Sequence, residues 1–188
     1  MSQERKTTII NLYGGPGTGK STNAAYLYYL LKIQHKNAEL VREYVKNWAW
    51  EGRKININDQ IYFLGKQIRL ESLVYGKVDW VVTDSPIIMN LFYANLYCTP
   101  TIATGVKSQV LAFYKQAEDD GHKHIHVYLN RTKAYSREGR YQSEEEARQL
   151  DGVLKKLLVD LDIPIIEVDT DDSELKTLLE KIVAEQDK

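Results

Sequence analysis

The run Gly14-Gly15-Pro16-Gly17-Thr18-Gly19-Lys20-Ser21-Thr22 fits G-x-x-x-x-G-K-[ST], with Gly14, Gly19, Lys20 and Ser21 in the required places. Such a run can wrap a polyphosphate in main-chain N–H groups, because glycine lets the chain approach closely and take positive φ angles. A helix beginning at Ser21 would add unpaired N–H donors and the positive end of its dipole. Lys20 could reach the β and γ phosphates of ATP, and Ser21 could ligate Mg²⁺.

Two carboxylates stand where strands should end. Asp84 closes the apolar run Val78-Asp79-Trp80-Val81-Val82-Thr83, and Glu43 follows Ala38–Arg42. Asp84 there could hold Mg²⁺ or accept a proton, or simply cap the next helix. Glu43 could take the proton of an attacking hydroxyl, or pair at the surface with Arg42 or Lys46. The continuation Asp84-Ser85-Pro86-Ile87 lacks the Asp-x-x-Gly of a GTPase switch, and no Asn-Lys-x-Asp guanine box exists. A mechanochemical ATPase would more often show two adjacent acids after the strand and a helical lid domain.

A basic segment forms the second informative feature. Arg131, Lys133, Arg137 and Arg140 fall within ten residues, with Gly139 as a flexible point. Phosphoryl transfer spreads charge over the γ-phosphate oxygens, and guanidinium groups are planar, permanent donors for it. The expectation is a short lid near 130–142, with Arg131, Arg137 and Arg140 stabilising transferred charge. A solvated loop offset by Glu144-Glu145-Glu146 is the alternative.

An acceptor would be recognised by the middle of the chain. Trp48 and Tyr62 offer faces on which a base could stack, and Gln67 an amide to read it. Tyr62 and Arg69, seven apart, share a helical face. Arg42, Lys46, Trp48, Tyr62, Gln67 and Arg69 are the candidate acceptor-binding residues. Tyr26, Tyr28 and Tyr29 pack against the sheet or form an interface, and a homodimer is one arrangement they allow. His35, His122, His124 and His126 show no metal spacing, and His124 and His126 are expected on opposite strand faces.

The elements that must hold these groups alternate. Strands are expected at Thr8–Tyr13, Ala38–Glu43, Val78–Asp84, His124–Leu129 and Pro164–Val168. Helices are expected at Ser21–Gln34, Asp59–Tyr75, Ile88–Tyr97, Lys107–Asp120, Ser143–Leu161 and Ser173–Gln186. Ser143 and Glu146 have capping-box spacing. The alternation predicts an α/β fold: three layers, a mostly parallel five-stranded sheet, helices on both faces and ligands at the carboxyl strand ends. The 188 residues suit one domain. With 25 basic and 26 acidic side chains, bulk charge favours neither a nucleic-acid nor a membrane partner. Cys98 is the only cysteine, so no intrachain disulfide can form. No apolar leader precedes the first strand, and a cytoplasmic protein is expected.

Taken together, the glycine loop, Glu43-Tyr44, Gln67, Asp84-Ser85-Pro86 and the arginine segment resemble the P-loop nucleoside and nucleotide kinases. Within them the chain is similar to small kinases related to the nicotinamide riboside kinase domain, over about residues 7–170. It also resembles phage-encoded members that phosphorylate 5-hydroxymethyluracil in DNA, through Arg131-Thr132-Lys133-Ala134-Tyr135 and Gly139-Arg140-Tyr141-Gln142. The Asp-Arg pair usual in monophosphate kinases is absent, because Ser85 follows Asp84. The resemblance implies an ATP- and Mg²⁺-dependent transfer to a hydroxyl of a nucleoside, nucleotide or hydroxymethylated base in DNA. A phage origin would put it in the host cytoplasm. The competing expectations are a nucleotide-binding switch or ATPase module working through a partner, and a small-metabolite kinase of the nicotinamide riboside type.

Overall fold

The computed structural model describes residues 5–132, 143–170 and 172–186. Among the described residues five strands, β1 (Thr8–Tyr13), β2 (Ala38–Val41), β3 (Trp80–Thr83), β4 (Lys123–Asn130) and β5 (Ile165–Asp169), form one parallel sheet in the order β2-β3-β1-β4-β5. Seven helices among the same residues connect and follow them: α1 (Lys20–Ile33), α2 (Lys46–Trp50), α3 (Asp59–Ser72), α4 (Ile88–Tyr97), α5 (Pro100–Asp119), α6 (Glu144–Asp160) and α7 (Asp172–Gln186).

β1 is buried at every position, as a central parallel strand covered on both faces must be. Its alternation divides the core. Ile10 and Leu12 join Leu27, Leu31, Val82 and Val127 under α1 and α7. Tyr13 faces the opposite layer with Ile88, Phe92, Val110 and Leu154 of α4, α5 and α6. Emptying such a position, as in Leu12→Ala, typically costs about 2–5 kcal/mol.

That second face also carries a buried polar network. Tyr13 Oη lies 2.9 Å from His126 Nδ1, and Asn11 Nδ2 lies 3.2 Å from His124 Nδ1. Tyr114 Oη donates to Asn11 Oδ1 at 3.4 Å. His124 and His126 thus share a face, with rings 5.9 Å apart and 15° from parallel, and not opposite faces as expected. Residues two apart on a strand return to the same side. Burial lowers their pKa values to about 3 and about 4, so both rings are neutral at pH 7.

Most element bounds shift by a residue or more from the sequence reading; β3 is Trp80–Thr83 in place of Val78–Asp84, so Asp84 stands just past it. β2 ends at Val41, so Glu43 sits in the loop beyond it. A five-residue helix, α2, stands between β2 and α3, where the sequence reading placed no element. α5 begins at Pro100 and not near Lys107, because Thr99 accepts the Ile102 N–H and proline suits the first turn. The Ser143–Glu146 capping box is present in both directions.

Candidate functional site

The glycine run joins β1 to α1 and turns across the carboxyl end of the sheet. Gly19 stands at the N-cap with φ 86° and ψ 16°, a left-handed conformation that disfavours other residues. No side chain caps α1, so its first-turn donors suit an anion. Lys20 folds back over the loop, its Nζ donating to Gly14 O at 2.7 Å and Gly15 O at 3.1 Å. Burial lowers the pKa of Lys20, while Glu43 and Asp84 pull it upward. Thr18 Oγ1 braces the same turn by donating to Gly15 O at 3.0 Å.

The two carboxylates come together from adjacent strands, in which Val41 pairs with Thr83. Asp84 is buried and its Oδ1 accepts the Glu43 N–H at 2.8 Å. It does not cap α4, whose N-cap is Ile87 without a side-chain bond. Glu43 lines a cleft with Lys20, Ser21 and Lys46. Burial raises its pKa, Lys20 opposes that, and Asp84 raises it further.

The cleft measures about 220 Å³ and runs from the P-loop to the wall formed by α2, α3 and α4. Of the six expected acceptor residues, Lys46 and Gln67 line it. Gln67 Oε1 already accepts the Tyr44 N–H at 3.4 Å, so the amide holds the Glu43–Tyr44 turn before it can read a base. Arg42 and Arg69 are exposed and lie outside the lining. Trp48 packs edge-on against Phe63 at 4.8 Å and carries Arg53 on its face. Tyr62 bonds Tyr44 Oη at 2.7 Å and so supports a lining ring from behind.

Tyr44, Gln60, Asn90, Tyr93 and Tyr97 also line the cleft, and the sequence reading gave none of them a part in binding an acceptor. Tyr93 and Tyr97 are 8° from parallel with centroids 6.2 Å apart. A signal for them existed: positions 90, 93 and 97 share one face of a helix that starts four residues after Asp84.

Arg131 follows β4 and is almost wholly buried. Its Nε donates to Asp151 Oδ2 at 2.7 Å and its Nη2 to Pro16 O at 2.8 Å, placing it behind the P-loop and outside the cleft lining. Arg137 and Arg140 lie outside the described residues, as does Lys133.

A divalent cation would find a hydroxyl in Ser21, which accepts Lys46 Nζ at 3.5 Å, and a buried carboxylate in Asp84. Among the described residues no three His, Cys, Asp or Glu side chains converge as a metal site. That donor set suits a cation shared with phosphate oxygens better than one caged by protein alone.

A model of the AAA domain family matches residues 9–175. Two solved structures have similar folds. One is a NadR protein in complex with NR, at TM-score 0.62 and 15% identity, covering 86% of this chain and 45% of that one. The other is NadR in complex with NAD and AMP-PNP, at 0.60 and 14%, covering 87% and 44%. This chain spans less than half the length of either, and at such identity the likeness is one of fold. No curated protein sequence matches. Among the described residues no helix is long and apolar enough to cross a membrane.

Proposed function

This chain belongs to the AAA domain family, and on that premise we propose that it is a phosphotransferase moving the γ-phosphoryl of ATP to a hydroxyl of a nucleoside, nucleotide or hydroxymethylated base. The observation carrying this reading is that Lys20 and Glu43 line one cleft whose far wall is aromatic. A nucleotide hydrolase needs the first half of such a cleft. The second half, with Tyr44, Tyr93, Tyr97, Gln60 and Asn90, suits a flat ring carrying a hydroxyl.

The acceptor oxygen attacks the γ-phosphorus, the bond to the β-γ bridging oxygen breaks, and ADP leaves. Glu43 takes the proton from the acceptor hydroxyl. Its raised pKa makes it, once ionised, a better base than an ordinary carboxylate. Lys20 leaves the carbonyls of Gly14 and Gly15 for the phosphates. Ser21 and Asp84 would hold Mg²⁺, which would neutralise phosphate charge when bound. Arg137 and Arg140 complete the reading as lid cations.

The fold likeness to NadR bound to NR and to AMP-PNP supports a kinase over a motor, and a small-metabolite acceptor of that kind is within the proposal. Membership of the AAA domain family favours a second reading, an ATPase or switch module acting through a partner. One experiment separates them. Purified protein receives labelled ATP, magnesium and, in turn, nucleosides, nucleotides and hydroxymethylated DNA. Label transfer that Lys20→Ala abolishes supports the kinase. ADP release indifferent to every acceptor and stimulated only by a protein partner supports the switch.

A further inference from the structure

Asp151 of α6 reaches back to the P-loop and grips it at a single peptide. Its Oδ1 accepts the Gly15 N–H at 2.9 Å and Arg131 Nη2 at 3.1 Å, while Oδ2 accepts Arg131 Nε at 2.7 Å. Arg131 Nη2 reaches on to Pro16 O. The guanidinium side chain is 6% exposed and the carboxylate side chain 20%. The approach is too close for any side chain at position 15: a Cβ there would stand 2.1 Å from Asp151 Oδ1 and 3.2 Å from Arg131 Nη2.

The other side of this peptide is also held: its carbonyl, Gly14 O, accepts Lys20 Nζ at 2.7 Å. The next carbonyl, Gly15 O, accepts Lys20 Nζ and Thr18 Oγ1. If Lys20 turns to a phosphate, its hold on both carbonyls is lost. The Asp151 bond to the N–H then keeps the outer limb of the loop from following the lysine. A buried ion pair contributes little net stability compared with apolar residues of the same shape. This pair engages two main-chain groups of the loop, which is a positioning arrangement.

We propose that Asp151, paired with Arg131, is a positioning residue for nucleotide binding that fixes Gly15 and Pro16 in the shape that receives the phosphates. This rests on the reading that the loop binds a nucleotide. It accounts for Arg131 behind the loop, where the guanidinium orients Asp151. At Lys20 the Arg131 charge opposes the Asp151 charge.

The test compares wild type, Asp151→Asn and the double variant Arg131→Met with Asp151→Leu. The double variant removes both charges together and leaves neither ion buried without its partner, so it should fold. Affinity is read with a fluorescent ADP analogue and magnesium, and folding by thermal melting. The double variant should melt near wild type and bind the analogue at least tenfold more weakly. Asp151→Asn should fall between, because its amide oxygen can still accept the Gly15 N–H. In steady state the loss should appear in KM for ATP, with kcat changed less than threefold. A folded double variant that binds as wild type overturns the proposal. If the double variant fails to fold, the same affinity in Asp151→Asn and in Gly15→Ala as in wild type overturns it. Nucleotide binding by wild type without transfer to any acceptor would remove the kinase reading and leave this proposal intact.

Discussion

The main-chain N–H of Glu43 donates to Asp84 Oδ1 at 2.8 Å, so the carboxylate just past β3 fixes the loop just past β2. This bond separates two acids that sequence position leaves interchangeable. Asp84 is buried, and Glu43 is on the cleft. Glu43→Gln is expected to lower kcat by roughly 10²–10⁴-fold, the usual worth of a general base, with nucleotide affinity little changed. Asp84→Asn keeps an oxygen for the Glu43 N–H and loses the charge. It should raise the magnesium concentration needed for half-maximal rate. A Glu43→Gln enzyme with wild-type kcat would remove Glu43 from the chemistry.

The direction of the Glu43 shift sets the acid limb of the pH profile. Burial moves its pKa up from 4.5, with Lys20 opposing. The base works ionised, so kcat should be low at acid pH, rise through a midpoint above 4.5 and then level off. The limb should vanish in Glu43→Gln, whose residual rate is measured over the same range. A wild-type midpoint below 4.5 would contradict the burial seen around this carboxylate.

Glu71 is also shifted upward, in a place outside the cleft lining. It is fully buried on α3, accepts Tyr75 Oη at 2.8 Å, and burial moves its pKa from 4.5 to about 8. The folded protein therefore binds a proton that the unfolded chain releases between those values. Its stabilising contribution is complete below 4.5 and is lost as pH rises through about 8. At ~1.4 kcal/mol per unit, the difference across that window reaches a few kcal/mol. Glu71→Gln keeps an acceptor for Tyr75 and never ionises. Urea unfolding at pH 5 and pH 8 should show wild type losing stability with rising pH, and the variant losing much less.

Much of this architecture was legible because strands in a parallel sheet declare themselves by composition. Thr8–Tyr13 was read to its ends, and the P-loop, Glu43 and Asp84 follow from strand ends alone. The acceptor wall was not legible at Trp48 and Tyr62, because aromatics that keep some exposure look the same in sequence whether they bind or brace. Trp48 rests on Phe63, and Tyr62 holds Tyr44. Arg131 was misleading for another reason. A basic segment advertises charge, but its partner Asp151 lies 20 residues away on an otherwise ordinary helix.

Tyr93 tests the acceptor half of the cleft. It stands parallel to Tyr97 on the same helical face as Asn90, and its burial raises its pKa. The ring is therefore an uncharged stacking surface at any working pH. Stacking a base on such a face is worth roughly 1–3 kcal/mol. Tyr93→Ala should raise the acceptor KM by the matching factor, about 5- to 150-fold, and leave KM for ATP near wild type. Tyr93→Phe should recover most of the loss. Equal damage to both KM values would mean that the substitution has disturbed the fold around α4.

Ser143 links a local sequence rule to the geometry of the P-loop. It opens α6 with a capping box in which its Oγ accepts the Glu146 N–H and Glu146 Oε2 accepts its own N–H. Two turns on, the same helix presents Asp151 to Gly15. Ser143→Ala removes one arm of the box and should cost about 1 kcal/mol, with a melting shift of about 2–4 °C for a chain of this size. The Asp151 contact is held independently by Arg131, which bonds the Ala147 carbonyl as well as the carboxylate. Fraying of the first turn should therefore lower stability without weakening nucleotide affinity more than about twofold. A larger loss of affinity would mean that the start of α6, and not the Arg131–Asp151 pair, sets the position of the carboxylate against the loop.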